Sequence, residues 1–375
     1  LSTHSLKIGY WVGFSRIPRI GRVRLGLLEK HFGNLEEAWT APESDLINSG
    51  LDESAVKAII QYRPRIDIGQ ETEYLEKNKI GVLTYHDAAY PARLKQINDL
   101  PPVLFVKGTL PPRDEPVLAV VGTRLPSNYG KEVTRDLTRD MVKSGLSVIS
   151  GLALGVDSIA HQTTIEAEGR TVAVCATGLD TIYPPSNCKL AGKILEKGAV
   201  ISEYPPGTRA RPEYFPRRNR IMAGMALGIL VTEARQESGA LITAKLGLDY
   251  NREVFAVPGS IYSRNSQGTN RLISEGAKLV TGVNDILEEL NLPVLNTQQH
   301  FGHILPKDSP EAMIATVLTR EPRHTDSIVR LTGLPTALVS SALTVMELKG
   351  MVKQTGVMIY TLIQPKHAGK EYGQH

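Results

Sequence analysis

The chain has 375 residues, 43 of them Lys or Arg and 39 Asp or Glu, so its formal net charge is only +4. That length exceeds one compact core of ordinary size, and two or three domains are expected. The modest charge excludes a chain that coats nucleic acid through overall basicity, and the ordinary apolar content excludes bulk disorder.

Residues 1–78 carry 10 basic and 11 acidic groups and read as a small helical domain. Val23, Leu25, Leu27, Leu28 and Phe32 supply apolar positions, and Gly33 is placed to end that helix. Asn34 caps the next, with Glu36 and Glu37 in its first turn. Leu46 and Ile47 end a short helix before Gly50. Asp52 then caps 53–62, where Val56, Ile59 and Ile60 share one side. Small helices joined by Gly turns either pack on a neighbour or hold a DNA backbone, as helix-hairpin-helix units do; the matched charges favour packing.

From 79 to 293, with 25 basic and 22 acidic groups, the pattern becomes short β-rich runs alternating with helices. Strands are expected at 81–84, 103–106, 117–121, 146–150, 171–176, 200–202, 229–232, 253–257 and 278–280. Helices are expected between them at 129–144, 156–168, 188–197, 217–226, 239–251, 268–275 and 283–290. Continuous apolar strands separated by helices indicate an α/β fold, a Rossmann-like, doubly wound and mostly parallel sheet, with ligands at the carboxyl ends of its strands.

Several strand ends carry unusual polar turns. In Val121-Gly122-Thr123-Arg124, Gly122 would let backbone approach a ligand, Thr123 and Arg124 offer donors, and Ser127 is placed to cap the next helix. Ser150-Gly151-Leu152-Ala153-Leu154-Gly155 repeats the theme, and the pair reads as a phosphate-holding crevice. Glu233 follows a strand, and Ser238-Gly239 opens another helix. The Gly spacing matches neither the dinucleotide fingerprint nor the P-loop, so NAD and ATP are not expected.

Between 209 and 220 the chain packs Arg209, Arg211, Arg217, Arg218 and Arg220 around Tyr214 and Phe215, with Glu213 the one acid. Guanidinium forks match phosphate oxygens, and aromatic faces stack unpaired bases. Pro216 should set the backbone for a helix opening on Arg217-Arg218-Asn219-Arg220. The run reads as a single-stranded nucleic-acid contact, with a solvated basic face as the plain alternative.

Residues 294–309 are polar and aperiodic, a linker. Helical candidates at 311–318, 325–332 and 336–349, followed by a two-stranded wing turning at Gly356, make 310–365 a winged helix. Its third helix has few cations, which favours protein contact or weak DNA contact over sequence reading. The last residues, 366–375, are expected to fray.

A search for catalytic chemistry finds little. Asp157 and His161 lie four apart on one helix near Ser158, but no Gly-x-Ser-x-Gly elbow is present, and His161 is favoured as a satisfied buried histidine. Glu203, Glu233 and Glu237 are the acids available for an N-glycosidase-like, nucleotide-processing enzyme, which is the runner-up; the nearby arginines argue against it by keeping carboxylates ionised. Cys175 and Cys188 have no partner at metal-ligand spacing, so neither zinc, disulfide nor other cofactor is expected. No segment approaches membrane-spanning length and no leader signature is legible, so a bacterial-type cytoplasm is the expected compartment; a chain opening on Leu1 reads as trimmed.

These motifs, taken in order, resemble the DNA-processing protein A (DprA/Smf) family. The resemblance runs through Gly122-Thr123-Arg124, Ser127, Gly151, Gly178, Phe215-Pro216-Arg217-Arg218-Asn219-Arg220, Ser238-Gly239 and Gly268. It implies a non-enzymatic protein that binds and shields incoming single-stranded DNA in natural transformation. It also implies a homodimer formed through the Rossmann-like domain and help in loading the RecA recombinase. The helical part is similar to the family's SAM-like or helix-hairpin-helix domain, and the C-terminal part to its optional winged helix. Carried over by residue, Gly122, Thr123, Arg124 and Ser127 would hold phosphates. Phe215, Arg217, Arg218 and Asn219 would line the groove, with Phe215 stacking a base. Where the family commonly has Gly-Ser-Arg this chain has Thr123, which keeps the hydroxyl. Arg211 is the nearest candidate for the Lys that family motifs often carry. A pure adaptor that holds the recombinase but no DNA is a third reading.

Overall fold

The computed structural model describes residues 3–293, 309–318, 322–348 and 351–362. Residues 294–308 of the expected linker and the expected frayed tail lie outside them. The chain forms two compact units, 1–294 and 295–375.

The first unit opens with six helices: α1 (Thr3–Arg16), α2 (Arg22–Phe32), α3 (Leu35–Thr40), α4 (Glu43–Asn48), α5 (Glu53–Tyr62) and α6 (Ile68–Lys77). Caps fall where the sequence puts them. Gly33 closes α2 at φ 78°, and the side chains of Asn34 and Asp52 accept from the backbone N–H of Glu37 and Ala55. Helices α1 and α6 were not anticipated. They pack closely because Gly9 and Gly13 offer no side chain where Ile68, Thr72 and Trp39 press in. Val12 and Leu75 then share a core with Val103 and Phe105 of the sheet, so the change from helix to strand at 79 falls inside one compact body.

All nine expected strands form: β1 (Gly81–Thr84), β2 (Val103–Gly108), β3 (Val117–Val121), β4 (Ser147–Ser150), β5 (Thr171–Val174), β6 (Ala199–Ser202), β7 (Gly228–Val231), β8 (Glu253–Ala256) and β9 (Lys278–Leu279). They make one sheet in the order β1-β2-β6-β5-β4-β3-β7-β8-β9. Pairing is parallel from β6 to β9, while β1–β2 and β2–β6 are antiparallel. Seven helices cover it: α7 (Asn128–Lys143), α8 (Val156–Glu166), α9 (Cys188–Ile194), α10 (Tyr214–Met225), α11 (Gly239–Asp249), α12 (Gln267–Ser274) and α13 (Val283–Glu289). Alternation along β3 sends Val117, Ala119 and Val121 into a core with α10 and α11, and Leu118 and Val120 into another with α7 and α8.

Strand β3 lies between β4 and β7, and the chain winds outward from it in both directions. The carboxyl ends of β3 and β7 are thus the topological switch point, where this architecture leaves its crevice. Helix α10 begins at Tyr214, three residues ahead of the expected start. Pro216 sits within its first turn, where a missing N–H breaks no helical bond.

The second unit contains α14 (Pro310–Val317), β10 (Arg323–His324), α15 (Thr325–Thr332), α16 (Thr336–Leu348), β11 (Val352–Gly356) and β12 (Ile359–Leu362). Ile314, Ile328, Val339, Leu343, Met346 and Val352 form its core, and α15 and α16 meet at 113°. This is a winged helix, with two corrections. The wing turns at Val357–Met358, Met358 taking φ 57°, and Gly356 stays in the strand; β10 adds a third strand beside β12. Helix α16 carries no Lys or Arg. Among the described residues no single helix is long and apolar enough to cross a membrane.

Candidate nucleic-acid interface

At the switch point the expected phosphate cradle is occupied by the protein itself. Ser127 caps α7, its hydroxyl accepting from Gly130 N–H at 3.1 Å, as its position suggested. The Ser127 hydroxyl and N–H then both donate to the Glu233 carboxylate, at 2.7 and 2.8 Å. Glu233 is 1 % exposed, and a Cβ on Gly130 would collide with its carboxyl group. The dipole of a sixteen-residue helix is therefore met by an internal anion. Thr123 is also buried; its N–H donates to the Glu233 carbonyl, and its hydroxyl accepts from Leu125 N–H. Gly122 is needed for close packing, since a Cβ there would meet Val156 and the Glu233 carbonyl at 2.6 and 2.8 Å. So Gly122, Thr123 and Ser127 shape the turn from within, and of that motif Arg124 reaches the surface.

The second glycine turn is explained in the same way. Gly151 has no side chain because the Arg218 guanidinium lies against it. Arg218 is 5 % exposed and donates to the carbonyls of Gly151 and Val174, bridging the ends of β4 and β5, while its Nε donates to Asn219 Oδ1 at 3.2 Å. Asp157, also enclosed, accepts from the N–H groups of Gly151 and Ala153. Burial raises the Asp157 carboxyl, and the charge of Arg218 pulls it back down. Burial, with the Arg218 charge adding, lowers His161 to about 3, so its ring is neutral; Nδ1 bonds the Thr171 hydroxyl at 2.7 Å, and Nε2 has no hydrogen-bond partner among the described residues. The same burial pushes the Cys175 thiol up to about 12. Arg218, Asn219 and Gly151, expected at the DNA, form this internal frame.

Arg220 is likewise turned in. It is 6 % exposed, ion-paired with half-buried Glu203, and donates to the Asp99 carbonyl. The reason lies downstream: Ile221 to Met225 are all buried, so α10 is enclosed on every side after its first turn. A polar residue on that stretch must find partners inside. The signal was legible, because no polar side chain follows Arg220 before Thr232.

What remains outside is a coherent surface. The Arg124 guanidinium lies 5.8 Å over the half-buried Phe215 ring, whose neighbour is Tyr183 at 5.5 Å. Tyr214 points the other way, stacking on Tyr204 at 4.3 Å and 24°, with Arg211 5.8 Å over it. Arg217 is 59 % exposed, its nearest acid Glu203 at 3.9 Å. Ser238 caps α11 through Ala240 N–H, and a side chain on Gly239 would meet open space. Tyr183 was not singled out from the sequence. Its clue was a polar segment ending in two prolines after a strand, at the same sheet edge as the arginine run.

A Rossmann-like sheet domain with a cationic, aromatic rim and a separate winged helix defines the class. A family model for DNA recombination-mediator protein A matches residues 81–291, and one for the DprA winged helix domain matches 304–356. Protein Smf of Synechocystis is 35 % identical, covering 94 % of this chain and 98 % of that one. DNA processing protein DprA of Bacillus subtilis is 42 % identical over 58 % of this chain and 73 % of its own. The crystal structure of DNA processing protein A from Streptococcus pneumoniae superimposes with a TM-score of 0.65 at 33 % identity, over 77 % of this chain and 99 % of that one. A second structure, reported for the single-stranded DNA binding mode of DNA processing protein A from Helicobacter pylori, gives 0.51 at 28 % identity, over 57 % and 96 %. The chain belongs to the DprA/Smf family.

Proposed function

We propose that this protein binds single-stranded DNA without regard to sequence, along the rim formed by Arg124, Phe215, Arg211 and Arg217. It thereby shields the strand and presents it to the RecA recombinase during transformation and recombination, acting as a homodimer through its sheet domain. The observation that carries the reading is the pairing of Arg124 with the exposed edge of the Phe215–Tyr183 ring cluster: a phosphate partner beside a base platform, at a strand end where the fold holds ligands. The relative's reported binding of single-stranded DNA supports it. The enzymatic alternative is not favoured, since Glu233 is engaged by Ser127, Glu203 is ion-paired with Arg220, and Glu237 is exposed on the surface, not enclosed against a ribose pocket.

Fluorescence anisotropy with single- and double-stranded oligonucleotides across a salt series tests the reading. Arg124→Ala is expected to weaken binding equally for all sequences and flatten the log–log salt slope by about 0.7. Phe215→Ala is expected to cost about 1–3 kcal/mol. Full affinity in both variants overturns the assignment. Recombinase assembly on oligonucleotides coated with single-strand binding protein, with and without this chain, tests the loading step.

A further inference from the structure

A groove of about 1600 Å³ runs between the N-terminal helices and the first turn of α10, lined on one side by Pro18, Arg19 and Arg22 and on the other by Tyr204, Arg211 and Arg217. Its volume exceeds the roughly 300–1,000 Å³ of small-molecule sites, which points to a polymer. The groove continues the rim described above and shares Arg211 and Arg217 with it. Phe215 faces Arg124, whereas Tyr214, the residue before it, faces Tyr204 inside the groove, with Arg211 over its ring. Tyr204 is 8 % exposed, and its hydroxyl is buried without a hydrogen-bond partner among the described residues. On the opposite wall Arg19 is exposed and makes no ion pair or side-chain hydrogen bond among the described residues, while holding φ at 72°, a region in which a glycine would sit without strain. Arg24 fixes that turn by donating to the Arg19 carbonyl at 2.6 Å while pairing with Asp52. Beyond Arg19, helix α2 starts on Gly21 with no capping side chain and no acid in its first turn.

We propose that the N-terminal helices form the second wall of the DNA path, so that a strand leaving the Phe215 rim passes α10 and continues between Arg211 and Arg19. This rests on the single-strand reading above and extends it. The occupant is the same unpaired strand. The groove mixes a few uncompensated cations with tyrosines and also carries Asp52, Asp99, Glu203 and Glu213, the first paired with Arg24 and the third with Arg220, a surface for a flexible single strand rather than for the dense charge of a duplex. The helical part, in this account, sets how many nucleotides one protomer holds.

Arg19→Gly tests it, since glycine suits the backbone there and removes the cationic side chain without straining the turn. Anisotropy is measured with oligothymidylates of about 6 and about 20 nucleotides. The 20-mer is expected to lose about 3- to 10-fold in affinity and its salt slope to fall by about 0.7, with the 6-mer unchanged. An unaltered 20-mer affinity and slope, or an equal loss on both lengths, overturns the second wall while wild-type binding leaves the rim standing. Failure of the wild-type chain to bind either length removes both.

Discussion

Arg217 and Arg218 are adjacent on one helical turn, yet the first is 59 % exposed on its side chain and the second is enclosed against two strand-end carbonyls. The same division runs through the whole basic cluster: Arg124, Arg211 and Arg217 face solvent, whereas Arg218 and Arg220 hold the ends of β4, β5 and β6 together. An arginine-rich segment is therefore two devices in one stretch. The inner cations position the outer ones, and the sheet edge supplies the frame. The switch point teaches the same lesson from the opposite charge, since the Glu233 carboxylate fills the helix end that an anion could otherwise take and leaves Arg124 as the cation of that turn facing solvent.

The largest effect that would sharpen the division is expected from Arg218→Met. Two buried carbonyls lose their donor and Asp157 loses the charge that offsets its burial, for a cost of about 3–5 kcal/mol, read from urea denaturation. Adding Asp157→Asn should recover part of that loss by removing the stranded charge. A stability unchanged in Arg218→Met would show that this arginine is no part of the frame.

A second expectation concerns pH. His161 titrates at about 3 when folded, against an ordinary 6.5 when unfolded. Between those values the unfolded chain binds the extra proton, so this residue's contribution to stability is intact above 6.5 and is lost as pH falls, by about 1.4 kcal/mol per unit. Asp157, raised by burial, works in the opposite sense but is common to both proteins in a comparison of wild type with His161→Gln. The variant should show a flatter decline in melting temperature from pH 6.5 downward; equal slopes would mean that the buried ring has no part in acid sensitivity.

The sheet was legible because its strands are apolar runs bounded by Gly, Pro or polar turns, a pattern that survives any tertiary context. Helix α1 was not, because Gly9 and Gly13 weaken its local signal for the sake of close contact with α6, a reason visible only when both helices are present. At the site, the residue types were legible and their directions were not. Gly122 and Gly151 were read as making room for a ligand, and they make room for Val156 and for Arg218. Both readings use the same physical property of glycine. What separates them is the identity of the neighbour, which sequence spacing alone does not supply. The untouched apolar run after Arg220 was the one available sign that half of the basic cluster is interior.

The smallest expected effect is the most exacting test of the division, because it requires one property to move while another stays still. Arg217→Ala removes an exposed guanidinium whose nearest acid, Glu203 at 3.9 Å, remains neutralised by Arg220. Stability should therefore change by no more than about 0.5 kcal/mol. Affinity for single-stranded DNA should nonetheless fall for every sequence, with a salt slope shallower by about 0.7, the share of one phosphate contact. Denaturation and anisotropy on the same preparation separate the two outcomes. If Arg217→Ala instead destabilised the fold as Arg218→Met is expected to, the outer cations would belong to the frame after all, and the rim would have to be sought among residues beyond α10.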